Sequence, residues 1–129
     1  MQFWQLSTAK IEIQRDARTI ISTISRHLMQ ATTSSVIIDR YNSNQPPYSR
    51  ISFTKVDKTF TYYQEGQKLY EVIGSTRCLA KSVVILYFAY PETRDDSIIN
   101  ISLTMEKKIM LGSKTSQFLT QKVKTRIMN

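Results

Sequence analysis

Cysteine is nearly missing from this 129-residue chain: Cys78 is the single thiol. No intramolecular disulfide can form, and packing has to hold the fold. Glycine and proline number three each, which excludes a collagen-like or glycine-rich architecture. There is one histidine, His27, so neither a His-rich metal cluster nor a locally spaced Cys–His dyad is available. Phosphate-cradling glycine loops are absent, as are the G-x-S-x-G, H-E-x-x-H and C-x-x-C patterns. No apolar run is long enough to cross a bilayer, and no signal peptide with a basic start and apolar middle opens the chain. These absences give the expectation of a protein that is not an enzyme and carries no cofactor and no metal.

The residues that are present suit one ordinary domain. Hydrophobic residues make up 41% and charged residues 22%, near globular averages, and a chain of this length buries enough surface to fold unaided. The formal charge of +8 attracts anionic partners such as nucleic acid, phospholipid head groups or an acidic protein surface. The basic residues are scattered, with a modest concentration towards the end at Lys107, Lys108, Lys114, Lys122, Lys124 and Arg126. Lys122, Lys124 and Arg126 are the candidate anion contacts. Solubility and weak non-specific attraction are the favoured explanation of the charge, which alone names no partner.

Leu6, Ala9, Ile13, Ala17, Ile20, Ile24, Leu28 and Ala31 recur at steps of three and four, which places them on one helical face. Gln5, Thr8, Glu12, Arg15, Thr19 and Arg26 occupy the opposite face. Neither Gly nor Pro interrupts residues 3–33, so the pattern predicts one helix on the order of 45 Å long. Its later half is expected to pack on the domain and its first turns to project.

Beyond Ala31 the period changes to that of strands. Segments 35–41, 50–56, 59–64, 68–73, 84–90, 98–105 and about 116–127 are strand-like. Residues 42–47 form a loop, Glu65-Gly66-Gln67 a hairpin turn, and residues 91–97 a second turn. Ile99, Ile101, Leu103 and Met105 share one side of their strand. Short connections favour antiparallel pairing of neighbours. The expected fold class is therefore α+β: a long N-terminal helix packed on an antiparallel β-sheet, with residues 1–34 as the stem and 35–129 as the sheet domain of one structural unit.

Single residues of chemical interest have plainer uses. His27 lies at the edge of the helix stripe beside Ile24 and Leu28 and is expected to pack there. Cys78 falls between two strands and is expected to act as a small buried apolar residue. Glu92, Asp95 and Asp96 surround Arg94 and match no calcium loop, so they are expected to form a solvated turn. Tyr62, Tyr63, Tyr70, Tyr87 and Tyr90 could stack single-stranded bases, but their strand positions favour cross-strand aromatic pairing.

From Ile51 onward the chain resembles the carboxy-terminal domains of type IV pilin-like proteins, in particular minor pilins and minor pseudopilins of type II secretion. The matching segments are Ile51-Ser52-Phe53, Thr59 to Gly66, Lys68-Leu69-Tyr70, Leu79 to Val83, Leu86 to Tyr90 and Ile101 to Thr104, preceded by an amphipathic helix in the expected place. Members of the family start as prepilins with a basic leader, a processing site, an early glutamate and an apolar membrane helix. The expectation is that Met1 replaces such a segment here, with Phe3 and Trp4 as the first turns beyond the bilayer. The resemblance implies a structural subunit that initiates or caps a type IV pilus or a type II secretion pseudopilus. It further implies partners among other pilin or pseudopilin subunits, anchorage in the bacterial inner membrane, and a periplasmic or extracellular head. Phe3, Trp4, Leu6, Ala9 and Ile13 would then carry helix packing between subunits, and a sheet edge or the basic terminal strand would meet neighbouring heads. The second expectation is a basic nucleic-acid-binding module, one use of which is DNA uptake.

Overall fold

The computed structural model describes residues 2–40, 43, 48–92, 94–95, 97–108 and 114–125, with side chains from Lys10 onward except at 108 and 114–117. The helix α1 runs Gln2–Leu28. A 3₁₀ turn follows at Thr33–Ser35. Five strands then form an antiparallel meander: β1 (Ile37–Asp39), β2 (Arg50–Lys55), β3 (Lys58–Glu65), β4 (Lys68–Ile73) and β5 (Ser75–Ala80). A second, three-stranded meander contains β6 (Val83–Ala89), β7 (Ile98–Lys108) and β8 (Lys114–Lys124).

The expected architecture is corrected by this arrangement. Strands account for 53% of the described residues and lie in two sheets, whereas the one helix has 19 residues with described side chains, Lys10 to Leu28. The protein is mostly antiparallel sheet, not a long helix on a single sheet. The helix also stops at Leu28 instead of continuing to residue 33. Physical causes lie in Thr32-Thr33-Ser34-Ser35, whose hydroxyl side chains compete for backbone groups. Ser35 Oγ donates to Thr32 O at 2.7 Å and accepts from Thr54 N at 3.0 Å. Thr32 N in turn donates to Thr54 O at 3.3 Å, tying the chain to β2. The strand β5 was not expected, because Ser-Thr-Arg-Cys-Leu-Ala shows no clean alternation of polar and apolar residues.

Both sheets contribute to one core. Ile13, Ala17, Ile20, Ile21, Ile24 and Leu28 are its helical face, set by the step of three and four. The second sheet adds Leu86 and Phe88 together with Ile99, Ile101, Leu103 and Met105, whose alternation along β7 was visible in the sequence. The first sheet adds Ile51, Phe53, Phe60, Tyr62 and Leu69. Lys107 of β7 donates to the Glu12 carboxylate of α1. That contact first, and the lysine charge second, hold the Glu12 carboxyl below its usual range.

The side chain of Gln64 joins the two sheets. Gln64 is buried in β3, where its Oε1 accepts from Leu86 N at 2.9 Å. Its Nε2 donates to Gly66 O at 2.8 Å and Val84 O at 2.9 Å. Both ends of the amide are thus used, as a buried polar group requires. Val83 N adds a backbone bond to Gln67 O at 2.9 Å. Nothing in the sequence distinguished Gln64 from a strand residue facing water.

Candidate functional site

The outer surface of the three-stranded sheet follows from its alternation. With Ile99, Ile101, Leu103 and Met105 turned to the core, Asn100, Ser102 and Thr104 of β7 face outward. On β8, Phe118, Thr120, Lys122 and Lys124 are exposed while Val123 is buried. On β6 a bulge between Val83 and Ile85 shifts the alternation so that Ile85 and Tyr87 are exposed and Leu86 and Phe88 buried. The register places these side chains in transverse rows: Ile85–Thr104–Phe118, Tyr87–Ser102–Thr120 and Ala89–Asn100–Lys122. Thr120 Oγ1 donates to Asn100 Oδ1 at 2.9 Å across the middle of the face.

At the β6 edge the aromatic surface continues. Tyr48 meets Tyr87 edge-on, with ring centroids 5.8 Å apart and planes at 84°. A cleft of about 320 Å³ opens there between Ile38, Tyr48, Tyr87, Phe88, Ala89 and Tyr90. Phe88 N donates to Tyr48 O at 2.9 Å and holds Tyr48 beside β6. Among the described residues the exposed aromatic side chains are Tyr48 (50%), Tyr87 (37%), Tyr90 (41%) and Phe118 (62%). All four belong to this face or its edge.

The five-stranded sheet treats similar residues differently. Its register aligns Asp39, Arg50, Tyr63, Tyr70 and Cys78 in one row across all five strands. Arg50 grips the Asp39 carboxylate with two bonds of 2.6 and 2.7 Å, and Tyr63 stacks on Tyr70 at 5.3 Å. On the core side, Tyr62 donates its hydroxyl to Glu71 Oε2 at 2.6 Å. Arg77 occupies the other oxygen at 2.6 Å. Burial, then the bond to Glu71, push the Tyr62 phenol well above its ordinary value. Glu71 thereby has both oxygens paired, so the trio stabilises the sheet instead of presenting a reactive carboxylate.

His27 packs against Phe60 with centroids 4.8 Å apart, and Lys55 Nζ lies 3.3 Å from its Nδ1. Burial, then the Lys55 charge, lower its pKa below the usual imidazole value. A boundary packing position is what the sequence predicted for it. Cys78 requires a correction. It lies within β5 and is exposed, because the edge strand turns this residue to the outer face opposite the helix. Asp95 folds back on Ser97, accepting from its hydroxyl and from its N–H at 3.0 Å. The Ser97 hydroxyl and amide, with the Lys124 charge beyond them, hold the Asp95 carboxyl low. Asp96 is outside the described residues. No group of three or more His, Cys, Asp or Glu able to hold a metal ion occurs among the described residues.

Of the expected helix contacts, the side chains of Phe3, Trp4, Leu6 and Ala9 lie outside the described residues. Ile13 was expected on the projecting stem, yet it is 2% exposed and belongs to the core. The apolar side chain that does face outward near it is Ile11, 64% exposed. Of the expected anion contacts, Lys122 and Lys124 are exposed on β8, and Arg126 is outside the described residues. The structure brings the two lysines onto the same face as Phe118, a residue the sequence reading passed over. Its signal was the alternation of Phe118, Thr120, Lys122 and Lys124 along one strand. No helix among the described residues is long and apolar enough to cross a membrane. No family model matches the chain, and neither a curated protein nor a solved structure matches it.

Proposed function

We infer that the protein is a non-catalytic subunit of a pilin-class filament, a minor pilin or minor pseudopilin that starts or caps the assembly. The reading rests on the resemblance of residues 51–104 to the heads of such subunits, and one structural observation supports it. The helix begins at Gln2, but the first core side chain among those described is Ile13, and Ile11 stands 64% exposed two positions earlier. A helix anchored through Ala17, Ile20, Ile24 and Leu28 thus has an apolar residue outside its own core. Burying such a side chain against a neighbour is worth about 1.5–3 kcal/mol. In this reading Ile11, not Ile13, begins the contact with adjacent helices. A segment preceding the helix anchors the subunit in the inner membrane, and the two sheets form the outward head.

The test is a photo-crosslinking amino acid placed at Ile11 in the full protein, expressed in its native cells. Crosslinks from position 11 to a second small membrane-anchored subunit with a pilin-type leader are expected. Val56, exposed on the β2–β3 hairpin, serves as the reference position. An absence of any such crosslink at position 11 in membrane fractions that contain the protein overturns the reading.

A further inference from the structure

The outer face of the β6–β7–β8 sheet is turned away from the core and carries exposed rings beside two exposed lysines. The exposed aromatic side chains of the described residues gather there, on a protein of net charge +8. We propose that this face binds single-stranded nucleic acid, with bases stacking on Phe118 and Tyr87 and the phosphate backbone following Lys122 and Lys124. The proposal stands on the sheet alone and is independent of the filament reading.

Spacing and charge decide for this occupant. Strands lie about 4.8 Å apart with a rise of about 3.4 Å per residue. Phe118 and Tyr87 are two strands and one outward row apart, so their rings are separated by roughly 12 Å. Tyr48 extends the aromatic line beyond Tyr87 by 5.8 Å, towards the cleft that Tyr90 helps to line. Separated rings on an open surface suit bases that are already unstacked, since every base offers a π-face. A duplex hides those faces, and this sheet offers no helix to enter a groove. Lys122 sits four residues from Phe118 on the same side of β8, about 14 Å away, within the roughly 4–16 nucleotides that such surfaces accommodate. The nearby acids limit the charge without reversing it. Asp95 lies close enough to feel Lys124, which leaves Lys122 as the principal cation, and Glu106 lies at the far end of β7, opposite Ser116. Between the rings and the lysines, Ser102, Thr120 and Asn100 supply hydrogen-bonding groups without adding charge.

Fluorescence anisotropy with a labelled oligothymidylate of about 15 nucleotides, and with a duplex of the same length, tests the proposal across a salt series. Binding is expected to favour the single strand and to weaken as salt rises. Phe118→Leu and Tyr87→Leu, which keep apolar strand residues but remove the rings, should each weaken binding about tenfold. Lys122→Ala should reduce the slope of log K against log salt by roughly 0.7. Tyr70→Leu, in the other sheet, should change affinity less than about twofold. An NMR titration of the unsubstituted protein gives the same answer without variants: shifts should cluster at Tyr87, Ser102, Phe118, Thr120 and Lys122. The proposal is overturned by any of three results. These are no binding at low salt, equal binding of duplex with Phe118→Leu neutral (charge alone), or a self-association that buries Phe118 and excludes the oligonucleotide.

Discussion

The two sheets share a core and a strand grammar, but they differ in where their aromatic residues end up. In the five-stranded sheet Tyr62 is buried against Glu71, and Tyr63 and Tyr70 stack on each other. In the three-stranded sheet Tyr87 and Phe118 stand on the solvent face. Identity of the side chain does not decide this. The cross-strand neighbour does: Tyr63 faces Tyr70, whereas Tyr87 faces Ser102 and Phe118 faces Thr104, residues too small to cover a ring. One sheet thus buries its aromatic rings, and the other leaves them accessible to solvent.

The sharpest way to break this comparison is a pair of substitutions. Tyr62→Ala should cost about 3–5 kcal/mol of stability, as aromatic truncations in cores do. Tyr87→Ala, which loses the edge-on contact with Tyr48, should cost only about 0.5–1.5 kcal/mol. Urea denaturation of both variants checks this, and equal losses would erase the distinction between the sheets. Next in size is Gln64→Leu. It leaves the Leu86 N–H without its acceptor, at a cost of about 1–3 kcal/mol. Faster amide exchange at Leu86 than within β3 is expected, because the substitution cuts the link between the sheets and leaves each ladder intact.

How much of this was legible beforehand differs element by element. The buried helix face from Ala17 to Leu28 and the inward side of β7 followed from spacing, since each period has one geometric solution. The end of the helix did not, because the Ser35 hydroxyl and the Thr32 N–H both bind Thr54 of β2, a contact distant in sequence. The way the two sheets are joined was equally hidden: Gln64 reaches Leu86, 22 residues away. Ile13 matched the stripe, but whether a stripe residue meets its own core or projects depends on how far β7 and β8 extend. Cys78 was misplaced because an edge strand with little apolar content gives no period. Lys122 and Lys124 were singled out by charge, whereas Phe118 beside them required the sheet register.

Two smaller effects refine the picture of the five-stranded sheet. Val56 and Asp57 connect β2 to β3 with φ of 49° and 63°, a left-handed pair that a β-branched residue adopts at a cost. Val56→Asn should therefore stabilise the protein by about 1 kcal/mol, seen as a raised denaturation midpoint. His27 gives the smallest effect. Its folded pKa lies below the ordinary 6.5, so the unfolded chain takes up the proton first as pH falls. The contribution is present above the unfolded value and is lost as pH drops through 6.5 towards the folded value. Melting temperature should decline over that window, and His27→Gln should flatten the decline.

Covalent nitration of tyrosines, read by mass spectrometry residue by residue, tests the contrast between the sheets most directly. Tyr48, Tyr87 and Tyr90 should react readily in the native protein, while Tyr62 and Tyr63 should be protected until it unfolds. Modification of Tyr62 at the rate of Tyr87, or protection of Tyr48, Tyr87 and Tyr90 together, would contradict the account.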